Sequence, residues 1–357
     1  MKKNVLHVVE AFGGGVFTFL VDLLNATSDD YNITLACAIR PQTPDNYQDY
    51  FNSNIKIIEL KEGGRNINPI KDIKFFNEVK SIIRQENPDI IHLHSSKAGF
   101  VGRLAANKKH KVLYNPHGFS HLKEDESSLK KMIYKGLEWI AAQKQGLVIG
   151  VSEGEYQEAL KITSRSCLIN NGIDIDRLPQ FPTKSIEKHS FTVATVGRIS
   201  YQKNPQQFNE IAKRFPNIRF NWIGDGELRD VLDSPNITVT GWKNKKEVLQ
   251  LLQQSDIFLL TSLWEGLPIA LLEAMYYKKL CIVSNVIGNK DVIENSKNGF
   301  IANDTEEFVL IIKNLLNGTY NMSEISDSAH KCILEKYNFR LVENSYRELY
   351  LKYSDES

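Results

Sequence analysis

Val5–Phe17 reads VLHVVEAFGGGVF: a short apolar run, three glycines, and the opening of a second apolar segment. An apolar run of this length that ends in a glycine turn fits a buried strand feeding a helix. The same unit recurs outward from it. Apolar runs follow at Ile33–Ala38, Ile55–Leu60, Asp89–Leu93, Val112–Asn115 and Leu147–Val151, with segments of helical period between most of them. In Pro69–Arg84, the residues Ile70, Ile73, Phe76, Val79, Ile82 and Ile83 are expected to mark one helical face. Pro69 suits a first turn, where its missing N–H is no loss. Strands alternating with helices predict a mostly parallel sheet covered on both faces.

The rhythm breaks at Asp174–Ser190, DIDRLPQFPTKSIEKHS, which has mixed charge and no period. It restarts with expected strands at Phe191–Val196, Ile218–Ile223, Ile237–Thr240, Ile257–Leu260 and Cys281–Ser284, and from about Asp304 only helices are expected. The chain therefore reads as α/β, with two doubly wound domains at 1–175 and 191–340 and a linker at 176–190. A last helix at 341–357 is expected to pack back on the first domain. Such domains would face each other across a cleft, with ligands outside the carboxyl ends of the strands.

Composition narrows the function. The 357 residues carry 44 Lys+Arg against 43 Asp+Glu, a formal charge of +1, which argues against a nucleic-acid-coating protein. A hydrophobic content of 42% supports real cores and argues against disorder. Cys37, Cys167, Cys281 and Cys332 are far apart with no CxxC, so reduced, inert thiols in an intracellular setting are expected. The N-terminal run is too short and too promptly charged for a signal peptide, and no run of about 18 apolar residues occurs. A cytoplasmic protein is expected, able to sit peripherally on the inner face of a membrane.

Three stretches carry chemistry at expected strand ends. In Phe12–Phe17, FGGGVF, the glycines Gly13, Gly14 and Gly15 either let backbone approach an anionic ligand or form a plain turn. The spacing is not that of a dinucleotide fingerprint. In Val196–Pro205, VGRISYQKNP, Arg198 and Lys203 stand just before a helix begun at Pro205. They are either solvated charges or a site for a pyrophosphate. In Ser262–Met275, SLWEGLPIALLEAM, Glu265 precedes the helix, Pro268 falls in its first turn, and Glu273 lies about one and a half turns in. An unpaired carboxylate among Ala270, Leu271 and Ala274 would be costly, so Glu273 needs a buried Arg or Lys, or a ligand's hydroxyl pair.

Other features are more ambiguous. His117, in YNPHGF, ends a strand, and His92 and His94 share a strand face. An HxH pair without a convincing third ligand reads better as hydrogen-bonded strand histidines than as a metal site. Between residues 108 and 144, eight lysines oppose Glu124, Asp125, Glu126 and Glu138, a local charge of +4. There Leu129, Met132, Ile133, Leu137 and Ile140 form a helical apolar face beside Tyr134 and Trp139. Such a helix either lies on anionic lipid or packs as an ordinary domain helix with a solvated lysine face.

Taken together these stretches resemble family 4 of the retaining glycosyltransferases, with the GT-B architecture of two Rossmann-like domains. The series runs through nearly the whole chain: GGG, INPIKD, PDIIHLHSSKAGFVGRLAA, NPHG, GVSEGE, NNGID, VGRISYQKNP, IGDGELR, GW and EGLPIALLEA. The HSSKAG and NPHGF variants look most like bacterial transferases that build capsules, O-antigens or exopolysaccharides. The resemblance implies that Arg198 and Lys203 bind the diphosphate of a nucleotide sugar, UDP favoured over GDP, and that Glu273 holds the ribose hydroxyls. It implies that Glu265, Gly266, Leu267 and Pro268 meet the donor sugar, Gly224 and Glu227 line the base region, and Gly13–Gly15 close over the phosphates. His117 would touch the sugar or assist at the reaction centre.

The acceptor, a glycan or polyprenyl-diphosphate-linked saccharide, is expected on the first domain near Arg65, Lys97, Arg103 and His117. Asn285–Lys290, NVIGNK, departs from the turn that relatives often carry. No DxD element sits in the phosphate region, so transfer without a metal or other cofactor is expected, with the leaving phosphate taking the acceptor's proton. Two rivals stand beside this reading: a sugar-nucleotide epimerase on the same scaffold, and a non-catalytic glycan- or nucleotide-binding partner. A glycoside hydrolase would leave Arg198 and Lys203 without a role.

Overall fold

The computed structural model describes residues 2–64, 68–180 and 191–355. The chain forms two units, Met1–Asn171 with Phe339–Ser357, and Gly172–Asn338. The boundaries fall a few residues before the expected 175 and 340. Residues 172–180 belong to the second unit, where Tyr277 Oη donates to the carbonyl of Pro179 at 2.8 Å. The rest of the expected linker, 181–190, lies outside the described residues.

Unit 1 has a parallel sheet of β1 (Asn4–Phe12), β2 (Asn32–Ile39), β3 (Lys56–Glu59), β4 (Ile90–His94), β5 (Lys111–Asn115), β6 (Leu147–Gly150) and β7 (Ser166–Leu168). Their order is β3-β2-β1-β4-β5-β6-β7. Unit 2 has β8 (Thr192–Val196), β9 (Arg219–Ile223), β10 (Ile237–Val239), β11 (Ile257–Leu260), β12 (Leu280–Ser284) and β13 (Phe300–Ala302). These run parallel in the order β10-β9-β8-β11-β12-β13. Chain direction across the sheet reverses at β1 in unit 1 and at β8 in unit 2. Loops on either side of such a reversal splay apart and leave room for a ligand at the strand ends.

Sequence decides the helices locally. Asn68 caps Pro69–Glu86 by accepting the N–H of Lys71, Pro69 takes the first turn, and Asn87 ends the helix in the left-handed region. Its buried face is Phe75, Val79, Ile82 and Ile83, whereas Ile70 and Ile73 are 70% and 63% exposed. The 3.6-residue period puts those two on the far side once Phe75 faces the sheet.

Each unit has its own core. One face of the first sheet packs Val5, Val9, Leu20 and Leu24 with Phe339, Val342, Tyr346 and Tyr350 of helix Phe339–Asp355. That helix thus supplies unit 1 with core from the far side of unit 2 in sequence. The two passes of chain are paired where they leave unit 2, through a bridge of Ile173 with Asn338. There the Ile173 N–H donates to the carbonyl of Tyr337 at 2.9 Å.

Candidate active site

In unit 2 the loops after β8 and β11 flank the sheet reversal. Gly197 has φ +145, and a side chain on Gly224 (φ +144) would lie 2.2 Å from the Gly197 carbonyl oxygen. Close packing of these two strand ends therefore requires glycine. Trp222 Nε1 donates to the same carbonyl at 2.8 Å, fixing the turn that carries Arg198. Asn204 then caps helix Pro205–Lys213 by accepting the N–H of Gln207. The two loops are laced together: Leu263 N–H donates to Gln202, and Thr261 Oγ1 to the carbonyl of Lys203, each at 2.8 Å.

Three ion pairs stand around this scaffold. Lys203 Nζ meets Glu265 Oε1 at 2.6 Å, and Ser262 Oγ donates to the same oxygen at 2.6 Å. Arg198 Nε donates to Glu227 Oε2 at 2.9 Å, with both side chains partly exposed. Glu273, on helix Ile269–Tyr276, is buried and ion-paired with Lys245, whose side chain is 38% exposed. So the partner that Glu273 needs is a lysine at the surface rather than a buried one. Pro268 stands just outside the helix as its N-cap, while Gly266 and Leu267 are buried beneath the loop. The NVIGNK turn completes this rim: Gly288 has φ +83, and a side chain there would fall 2.4 Å from the Gly266 carbonyl oxygen.

In unit 1 the corresponding loops follow β1 and β4. Gly13 is extended, Gly14 has φ +55, and helix Gly14–Thr27 begins at once with Gly14 and Gly15 exposed. Space above Gly14 is open to 4 Å. After β4, Ser95 takes the left-handed region, and its hydroxyl and the N–H of Ala98 both donate to buried Glu10. Glu10 thereby neutralises the start of helix Ser96–Ala105. After β5, His117 also takes the left-handed region with φ +52. Fully buried Glu155 holds that loop by accepting the N–H of Gly118 at 2.5 Å and of Val151 at 2.8 Å.

A row of histidines runs from the core to this loop. His7 Nδ1 and His94 Nε2 are 3.0 Å apart, and His94 Nδ1 and His117 Nε2 are 3.2 Å apart. His92 bonds Asn115 Oδ1 at 2.6 Å and Tyr350 Oη at 2.7 Å. His7, His92 and His94 are fully buried and near enough to share an ion. Yet every one of their ring nitrogens but His7 Nε2 already has a partner in the protein. Burial holds the rings neutral: His92 is pushed down to about 4 and His117 to about 3.

The expected acceptor residues divide. Lys97 lies at the start of helix Ser96–Ala105 and meets Asp72 at 2.8 Å. Arg103 is turned into the core of unit 1. It is fully buried, stacks 4.3 Å from the ring centre of Tyr114, and pairs with Glu138 at 2.5 Å. Tyr114 Oη donates to the other Glu138 oxygen at 2.8 Å, closing a buried polar triad. Arg65 lies outside the described residues. Sequence alone singles out none of Lys245, Glu10, Glu155 and His7 as a site residue. Only GVSEGE, which contains Glu155, was a signal for any of them.

Helix Ser128–Lys144 is turned the opposite way from an ordinary domain helix. It buries Glu138, Ala141 and Ala142 and exposes Leu129, Met132, Ile133, Trp139 and Ile140.

Residues 13–177 match the family described as Glycosyltransferase Family 4, and residues 176–333 match Glycosyl transferases group 1. The UDP-Gal:alpha-D-GlcNAc-diphosphoundecaprenol alpha-1,3-galactosyltransferase of Escherichia coli is 31% identical over 317 residues, covering 79% of each chain. The capsular polysaccharide biosynthesis glycosyltransferase CapM of Staphylococcus aureus is 23% identical over 324 residues, covering 80% of this chain and 84% of the relative. HepE of Anabaena, solved with UDP and glucose, superposes with a TM-score of 0.78 at 16% identity, covering 98% of this chain and 100% of that one. At that identity the likeness is one of fold.

Proposed function

Because the chain belongs to the family 4 glycosyltransferases of GT-B fold, we propose that it moves a sugar from a nucleotide-diphosphate donor to a lipid-linked saccharide in bacterial surface-polysaccharide synthesis. A UDP-sugar is the favoured donor and a polyprenyl-diphosphate-linked saccharide the favoured acceptor, the chemistry named for the Escherichia coli relative. The observation that carries this reading is the cluster of Arg198, Lys203, Glu265 and Glu273 on both sides of the sheet reversal in unit 2.

The charges suit a diphosphate leaving group. Arg198 and Lys203 each hold one carboxylate, from Glu227 and Glu265, and a diphosphate would compete for both cations. They would meet the charge that develops as the glycosidic bond breaks, the role a preorganised cationic site performs best. Glu273 would accept the ribose hydroxyls, and Gly224 and Glu227 would border the base. Glu265 with Gly266–Pro268 would meet the sugar. On unit 1, Gly13–Gly15 would approach the phosphates by backbone, and Lys97 and His117 would contact the acceptor side.

Transfer proceeds with retention in this reading. The acceptor hydroxyl attacks the anomeric carbon on the face that the phosphate leaves, and the phosphate oxygen takes the hydroxyl proton. No protein nucleophile is needed and no divalent cation is required. The exposed apolar face and lysines of helix Ser128–Lys144 would hold the enzyme against the anionic membrane that carries such acceptors.

A panel of nucleotide sugars tests the assignment, scored by binding, by slow donor hydrolysis and by the anomer of any product. One UDP-sugar should bind and turn over to an α-linked product from an α-linked donor, with EDTA leaving the rate unchanged. A folded enzyme that binds none of the panel would overturn the donor reading; an inverted product or a strict Mg²⁺ requirement would overturn the mechanism.

A further inference from the structure

The row His7–His94–His117 contains more information than its distances. A neutral imidazole has one N–H, so each ring can donate through one nitrogen only. Two arrangements satisfy the 3.0 Å and 3.2 Å bonds. In the first, His117 donates inward from Nε2, His94 passes its own N–H to His7, and His7 keeps its N–H on Nε2. In the second, His7 donates outward from Nδ1, His94 donates from Nδ1 to His117 Nε2, and His117 keeps its N–H on Nδ1.

The inner end separates them. His7 Nε2 is buried without a hydrogen-bond partner among the described residues. The first arrangement strands an N–H donor there; the second leaves a bare lone pair, the less penalised of the two kinds of orphan. Nor can the row reverse freely, because a proton cannot reach His7 Nε2 through a nitrogen that bonds nothing. His92 stands outside the row with its own tautomer fixed. Asn115 donates to the carbonyl of Ile149 at 3.3 Å, so its Oδ1 accepts from His92 Nε2, and Tyr350 donates to His92 Nδ1.

We propose that His94, backed by His7, is a positioning residue that locks His117 in the Nδ1–H tautomer, so that the strand end of unit 1 presents a neutral N–H donor and not a base. His117 Nδ1 has no partner among the described residues, and its ring is steadied edge-on by Phe19 at 5.0 Å. A fixed donor suits a sugar hydroxyl or a phosphate oxygen. It is of no use for taking a proton from the acceptor. The inference rests on the transferase reading for the identity of what His117 touches, but the tautomer itself does not depend on that reading.

Long-range ¹H–¹⁵N spectra of the full chain, labelled at histidine and assigned with His117→Gln, measure the tautomer directly. Wild type should show a protonated Nδ1 and a bare Nε2 at His117. His94→Asn keeps a donor near the position of Nδ1 and should keep both the spectrum and the rate. His94→Leu should release His117 to a mixture of tautomers and slow transfer by about tenfold, the worth of one neutral hydrogen bond. A wild-type His117 protonated on Nε2, or one whose tautomer is unchanged in His94→Leu, overturns the proposal. If the spectra are as expected but no nucleotide sugar is turned over, the transferase reading fails and the positioning role stands.

Discussion

Lys203 and Glu265 form a charged pair that stabilises its loop and that the proposed reading also places at the donor. Their 2.6 Å contact balances charge in a loop where both side chains are largely buried. Lys203→Ala should lower kcat/KM by roughly 10²–10³, the usual effect of removing a group that meets transition-state charge, and Glu273→Ala should raise the KM for the donor by losing the ribose contact, while circular dichroism shows a folded chain in each case. Unchanged activity in both variants would remove the assigned site. Arg103 behaves in the opposite way. Glu138→Ala leaves its guanidinium buried and uncompensated, so unfolding should become easier by about 3–5 kcal/mol. Activity at a temperature where the variant is still folded should be retained, as an acceptor role for Arg103 would not allow. The histidines add a pH limit. Burial holds His92 down to about 4, against about 6.5 for a free imidazole. Below about pH 6.5 the unfolded chain takes up a proton that the folded chain refuses. Stability is therefore full above that pH and falls toward pH 4, by up to about 1.4 kcal/mol per pH unit for this residue. Denaturant titrations at pH 7 and 5 measure the slope, and a rise in stability on acidification would contradict the burial argument.

At the scale of elements, helix Ser128–Lys144 makes the clearest prediction. Replacing Leu129, Met132 and Ile140 together with Gln should leave the melting temperature within a few degrees, because these side chains are 63%, 66% and 51% exposed. Sedimentation with anionic vesicles should fall sharply, and wild-type binding should weaken as salt rises. Binding that ignores both salt and the substitutions would remove the membrane role. The element also shows where sequence was readable. Its helix, its lysines and its apolar stripe were visible from periodicity alone, but which side faces protein was not. Glu138, counted as one more surface acid, is the residue the core takes, because Arg103 and Tyr114 wait for it there. Likewise Glu265 and Glu273 stood out as carboxylates beside an apolar helix, but Lys245 lies 28 positions before Glu273 and nothing local announces it. The positions of most strands along the chain were legible because buried parallel strands are continuous apolar runs. The edge strands Ser166–Leu168 and Phe300–Ala302 were not, although the equally short edge strand Ile237–Val239 was.

Across the whole molecule, unit 2 is an insertion between two parts of unit 1. Phe339, Val342, Tyr346 and Tyr350 close the core face of the first sheet, and Tyr346 and Tyr350 also bond Asn115 and His92. Ending the chain at Asn338 should remove about 1.5–3 kcal/mol for each of these side chains. The buried amide and imidazole would lose their partners as well. Hydrogen exchange should then show loss of protection throughout unit 1 and its retention in unit 2. Equal protection in both would mean that the returning helix is dispensable. A ribosome makes this chain in the reverse of the order in which it is completed. Unit 2 is contiguous and can fold when its last strand and helices emerge. Unit 1 must wait with an uncovered apolar sheet face for roughly ten to forty seconds at ordinary elongation rates. That interval, rather than any weakness in the finished protein, is when the nascent chain is most exposed to aggregation and most dependent on chaperones.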